Sequence, residues 1–245
     1  MRKISGAADE NNGEKANPRA GSVRLATALK SVLALSVFLA VIFLLAGRLD
    51  YPQGWLFGVI NAVIIALLLI LVPELPDLMK GRAKPGPATK WWDRFFWMLF
   101  GPMNLAVVVV ASLDGGRFHW TDGLPFIASL LAVPVYAVSS GLHFWAIRAN
   151  AFYSSTVSIQ GQSGQTVVED GPYRHVRHPG YTGIMGMMGS IPLLLGSVWG
   201  LVPAAGVLLL VFSRTILEDL ALRKELPGYL DYARRVRYRL VPGLW

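Results

Sequence analysis

Five long stretches of this chain carry no Asp, Glu, Lys or Arg: residues 31–47, 51–73, 95–113, 123–147 and 178–213. A helix needs about 20 consecutive apolar residues to cross a bilayer. The first four stretches fit one crossing each. The last has 36 residues, about 54 Å as one helix at about 1.5 Å per residue, too long for a single crossing. Gly196-Ser197 sits at its middle, between Pro192 and Pro203. It reads as a helical hairpin with legs Pro179–Leu195 and Val198–Ser213. Composition agrees: 53% of the residues are apolar and only 16% charged, against roughly 25% charged in soluble domains. Soluble, disordered, collagenous and coiled-coil chains are excluded.

The basic residues set the orientation, because Lys and Arg collect on the cytoplasmic side. Of 23, six lie in residues 1–30, five in 80–94, three in 148–177 and seven in 214–239, while only Arg48 and Arg117 fall in the alternate loops. This split predicts an all-α polytopic bundle of four spans plus a C-terminal helical hairpin, both termini cytoplasmic. The basic excess is a topology signal and a lipid-surface contact, not a nucleic-acid footprint. Residues 1–25 read as a disordered cytoplasmic segment, 26–148 as the four spans, and 149–245 as the region that carries the chemistry. No small-residue cleavage site follows the first span, which is expected to stay as an anchor. The expected location is multi-pass in a membrane of the bacterial inner type, with the active site cytoplasmic.

The absence of cysteine removes disulfide scaffolds, thiolate metal sites, thiol nucleophiles and iron–sulfur chemistry. No G-x-S-x-G, H-E-x-x-H or phosphate loop is present. Gly183, Gly186 and Gly189 recur every third residue, as in close helix packing or a bare face for a flat ligand. Polar density rises after Arg148, in two clusters. Gly171-Pro-Tyr-Arg-His-Val-Arg-His-Pro-Gly-Tyr-Thr-Gly183 places two Arg, two His and two Tyr before an apolar helix whose first turn suits Pro179. It reads either as an interfacial loop with snorkelling side chains or as an anion-binding helix start. His175 and His178 lack evident further ligands, so no metal is expected. The second cluster holds Arg214 and Glu218 one helical turn apart, then Asp219, Pro227-Gly-Tyr-Leu-Asp-Tyr232 and Arg234-Arg-Val-Arg-Tyr-Arg-Leu-Val-Pro242. As a surface pair Arg214 and Glu218 add only about 0.3–0.5 kcal/mol, whereas ionisable residues at a membrane boundary point to function.

The patterns G-P-Y-x-x-x-R-H-P-x-Y-x-G, R-x-x-x-E-[DE], G-Y-x-x-Y and R-V-x-x-x-x-x-P, in this order across residues 150–245, resemble the isoprenylcysteine carboxyl methyltransferase family. R-H-P-x-Y alone also resembles sterol reductases. The resemblance implies an S-adenosylmethionine site at the cytoplasmic membrane face. By position, it implies cofactor contacts from Tyr173, His178, Pro179, Gly180, Tyr181 and Glu218. Gln165, Thr166, Val167 and Val168 match the stretch whose backbone lines the pocket, and Gln160 is a further match. Arg214 aligns with the substrate-facing arginine, so that Arg214 and Glu218 form the catalytic pair. Asp219 stands where a second Glu is usual, and Glu169-Asp170 where Thr or Ser is common. The acceptor implied is a lipid or isoprenoid acid, with no nucleic acid and no obligate protein partner. Phospholipid N-methylation, NADPH-dependent reduction of a sterol-like substrate and a non-catalytic scaffold are the alternatives.

Overall fold

The computed structural model describes residues 18–72, 74, 90–122, 124–154 and 165–245. These form seven α-helices and no strand. They are α1 (Pro18–Ala46), α2 (Pro52–Leu71), α3 (Trp91–Ser112), α4 (Phe126–Ala149), α5 (Pro179–Leu194), α6 (Leu201–Glu225) and α7 (Tyr229–Arg235). A π-helical turn, Leu113–Phe118, extends α3, and a 3-10 turn, Gly171–Arg174, precedes α5. Five segments are long and apolar enough to cross a membrane: Val23–Ala46, Pro52–Leu71, Trp91–Phe118, Phe126–Ala149 and Leu201–Glu225. Leu25, Leu44, Ile70, Val138 and Leu209 on them are exposed, the pattern of helices apolar all round.

Residues 179–225 form the expected hairpin, with three differences. The first leg, α5, has only 16 residues, about 24 Å long, shorter than a hydrocarbon core of about 30 Å. The turn runs from Leu195 to Gly200 rather than at two residues. In it Gly196 takes φ +68°, and the amides of Gly196 and Ser197 donate to the carbonyls of Leu193 and Pro192, closing the helix end as a left-handed glycine does. The second leg continues past Ser213 to Glu225. Charge does not end a helix; residues 214–225 hold no Gly or Pro, so nothing stops it. At the other end of the sequence, α1 begins at Pro18, ahead of the boundary expected at residue 25.

The short connections meet at one end of the bundle. Buried Asp114 accepts hydrogen bonds from the Thr121 amide (2.6 Å), the Thr121 hydroxyl (2.5 Å) and the Ser197 hydroxyl (2.6 Å). The Tyr51 hydroxyl donates to the Leu195 carbonyl. Burial pushes the Tyr51 hydroxyl above its ordinary range, with the Asp114 charge adding to it, so it stays a donor. Between the ends, Ile42, Phe57, Val107, Tyr136, Leu194 and Val207 build the core. The α4–α5 seam is tight: a Cβ on Gly183 would stand 2.7 Å from the Ser139 carbonyl, and one on Gly186 would overlap the Ser139 hydroxyl. Two of the three spaced glycines therefore serve helix packing, and the face they leave is filled by α4. Gly189 faces nothing within 4 Å.

Candidate active site at the polar end of the hairpin

Pro179 starts α5 because proline lacks the amide that a first-turn position leaves unpaired. The two residues before it are pinned by backbone: the amides of Arg177 and His178 donate to the carbonyls of Tyr238 (3.0 Å) and Arg239 (2.9 Å). The Thr182 hydroxyl adds a bond to the Leu240 carbonyl at 2.8 Å. The R-H-P turn is thereby stitched to the segment that follows α7.

Beneath this stitch lies Asp219, which is fully buried. Arg177 grips it through Nε at 2.8 Å and Nη2 at 3.3 Å, a forked arrangement that suits the planar guanidinium. Arg223 (2.9 Å), Arg239 (3.0 Å) and the Tyr229 hydroxyl (2.9 Å) complete the shell. His178 Nε2 stands 3.5 Å from the same carboxylate. Arg177 also donates to the carbonyls of Val236 and Arg237, each at 2.9 Å. Its side chain is 2% exposed, so it does not snorkel. Breaking a pair this deeply buried costs about 3–5 kcal/mol. Burial, reinforced by Asp219, raises the Tyr229 hydroxyl well above its ordinary range. Burial likewise raises Tyr173 and Tyr232. All three stay protonated donors across the physiological range.

A cavity opens beside this cluster, with about 860 Å³ of empty space including its mouth. Gln165, Thr166, Val167, Val168, Tyr173, His178, Gly180, Tyr181 and Glu218 line it. Pro179 is buried at the first turn of α5 but is not in the wall. Gln160 lies outside the described residues. Gly180 is required by space: a Cβ there would stand 2.9 Å from the Tyr153 ring. The Tyr173 ring is held through its hydroxyl, which receives the Asn150 amide at 3.3 Å and donates to the Ala146 carbonyl at 3.4 Å. The Tyr181 hydroxyl donates to Glu218, and its ring stacks on His178 at 5.8 Å and 16°.

Arg214 stands apart from this cavity. Its Nη2 lies 2.8 Å from Oδ1 of Asp93 on α3; the two side chains are 4% and 0% exposed. The guanidinium lies 4.3 Å from the Phe96 ring centroid, 5.4 Å from Trp97 and 5.6 Å from Tyr181. Arg214 and Glu218, one turn apart, act on each other electrostatically, while their direct contacts include Asp93 for Arg214 and Tyr181 for Glu218. Tyr181 is their common wall, with Glu218 on its hydroxyl and Arg214 against its ring. Of the residues departing from the resembled pattern, Glu169 pairs with Arg235 and Asp170 with Arg174, both in exposed bridges.

Several wall residues were not singled out from sequence: Asn150, Phe152, Tyr153 and Ser154 after α4, Arg177, and Leu222, Leu226, Tyr229 and Tyr232 from the C-terminal elements. Tyr229 and Tyr232 stood in the G-Y-x-x-Y pattern without a role. Asp93 gave a signal too, as an acid among Trp91, Trp92, Phe95 and Phe96, where a membrane-boundary carboxylate needs a cation. Among the described residues no group of three or more His, Cys, Asp or Glu could hold a metal ion. His175 is exposed and His178 buried.

Residues 132–224, from the body of α4 to the end of α6, match the model of the isoprenylcysteine carboxyl methyltransferase (ICMT) family. This stretch is similar to that family. A comparison with curated proteins finds no match. The family is one of methyltransferases, and five apolar helices of membrane-spanning length accompany the matched stretch. Both the cavity and Arg214 draw on it, while Asp93 and the tyrosines of α7 lie outside it.

Proposed function

We propose that this protein is an S-adenosylmethionine-dependent methyltransferase acting on a lipophilic substrate at the cytoplasmic membrane face, by carboxyl O-methylation of an isoprenoid-type acid. One observation carries the reading: residues that the family pattern assigns to cofactor, from three separate segments, line a single cavity that shares the Tyr181 wall with Arg214. The cavity suits the cofactor chemically. Phe152, Tyr153, Leu222 and Leu226 offer apolar surface to a flat base, Asn150 and Gln165 offer amide groups, and Glu218 offers a carboxylate to cationic groups. When bound, the cofactor supplies an electrophilic methyl group on a sulfonium.

The chain's contribution is orientation in a site screened from water. Arg214 offers a charged fork to an acceptor carboxylate at the end of an apolar helix, so that a hydrocarbon tail stays in the bilayer. Glu218, steadied by Tyr181, faces the cofactor side. A carboxylate nucleophile carries no proton to remove, so no general base is required. Because the reacting charges cancel during transfer, a low-dielectric pocket favours progress.

Membranes containing the protein, incubated with methyl-labelled S-adenosylmethionine and extracted with organic solvent, are expected to yield a base-labile labelled lipid, as a methyl ester is. The purified protein is expected to bind S-adenosylmethionine, and not NADPH, in calorimetry. NADPH binding without S-adenosylmethionine binding overturns the reading in favour of a reductase. A base-stable labelled phospholipid replaces the carboxyl acceptor with an amine.

A further inference from the structure

We propose that Asp93 is a positioning residue that shares Arg214 with the acceptor carboxylate, matching its charge before the acid binds and after the ester leaves. The inference rests on the acid-acceptor reading above. Asp93 and Arg214 are 0% and 4% exposed and 2.8 Å apart, with Phe96, Trp97 and Tyr181 around the guanidinium. A guanidinium this deep cannot stand alone, since an uncompensated buried charge costs several kcal/mol. The acceptor carboxylate is available only in the substrate complex. Asp93 is a counter-charge in direct contact in every state, with the Glu218 charge also acting on Arg214 from one helical turn away.

Methyl transfer changes that balance. A carboxylate oxygen forms a bond to the methyl carbon while the sulfonium C–S bond breaks, its electron pair staying on sulfur; no proton moves. With the acid bound, the carboxylates of Asp93 and of the acceptor both draw on one guanidinium, while the sulfonium's positive charge is on the methyl-donor side. That competition fades as the acceptor's charge is consumed together with the sulfonium's, and the neutral ester leaves Arg214 to Asp93. Asp93 therefore disfavours the bound acid more than the transition state, the kind of difference that raises turnover rather than affinity. It also speeds departure of the product, which has no charge to set against Arg214. The α3–α6 seam has a second tie, Lys90 Nζ to Glu225 at 2.8 Å, so Asp93 is not its sole fastening.

Farnesoic acid serves as the acid probe and its methyl ester as the neutral control. Asp93→Asn is expected to bind farnesoic acid 3- to 10-fold more tightly by tryptophan fluorescence, with ester binding unchanged. Its KM for the acid is expected to fall with kcat, the latter about 10-fold, and Asp93→Glu to restore most of the kcat. In an Arg214→Gln background, where Asp93 has no guanidinium left to share, Asp93→Asn is expected to cause no further loss of residual turnover. Unchanged KM and kcat, a raised KM, failure of Asp93→Glu to rescue, or an additive loss in the Arg214→Gln background overturns the role of Asp93 alone. Wild-type protein that neither binds farnesoic acid nor labels an extractable acid overturns the acid-acceptor reading, and the inference with it.

Discussion

Asp114 at one end of the bundle and Asp219 at the other are both fully buried carboxylates, and their partners differ in kind. Asp114 is satisfied by the hydroxyls of Thr121 and Ser197 and the amides of Thr121 and Trp199. These are neutral and belong to the loops it fastens, so the cluster closes on itself. Asp219 is held by Arg177, Arg223 and Arg239 and a tyrosine, which leaves positive charge in surplus. Arg223 and Arg239 are partly exposed, at 35% and 27%, while Arg177 lines the cavity. A carboxylate capped by neutral donors shuts an end of the molecule. One held by arginines ties the C-terminal elements to the turn before α5, and through Arg177 it reaches the cavity wall.

Three measurements break or sharpen this contrast. The largest effect is the all-or-none one of orientation. The chain has no cysteine, so single cysteines placed at the exposed positions Asp122 and Leu244 report without background. In intact cells Asp122→Cys is expected to react with an impermeant thiol reagent and Leu244→Cys to be protected. Reaction at 244 from outside breaks the assignment of the arginine-ringed end to the cytoplasm.

The next separates the two sides of Tyr181. Arg214→Ala is expected to keep S-adenosylmethionine affinity within a few-fold and to cut turnover by about 10²-fold or more, the scale of losing one oriented charge. Arg214→Lys restores only part, because a point charge does not reproduce a fork. Glu218→Gln is expected to do the reverse and weaken cofactor binding first. If Arg214→Ala abolishes cofactor binding while Glu218→Gln is silent, the two roles are exchanged.

The smallest effect is the difference in stability between the ends. Asp219→Asn strands Arg177 and is expected to cost about 3–5 kcal/mol, Asp114→Asn about 1–3 kcal/mol, the cost of poorly satisfied buried donors. Unfolding in detergent, followed by tryptophan fluorescence, reads both. Equal losses would remove the distinction between a charged and a neutral clamp.

The spans were legible because lipid imposes a simple rule on sequence: a crossing helix must be apolar over its length, so charge-free stretches mark it. Pro179 and Gly196 were legible for an equally local reason, since one lacks an amide where none is needed and the other reaches positive φ without strain. The extension of α6 to Glu225 was missed because a charge marks where lipid contact ends, not where hydrogen bonding along a helix ends. The R-H-P-x-Y turn was nameable because its spacing is itself a pattern, and the segment Gln165–Val168 only because the resemblance implies it.

The sequence by itself determined the membrane helices, the hairpin and the residues at its polar end, all properties of short stretches read one at a time. Only the tertiary structure decided their partners. Asp93 and Arg214 are 121 positions apart in the chain and 2.8 Å apart in space, while Glu218, one turn from Arg214, turns to Tyr181 instead. The reason is physical: a buried charge takes whichever opposite charge or donor the packing of helices brings within reach, and spacing along one helix does not specify what another helix presents to it.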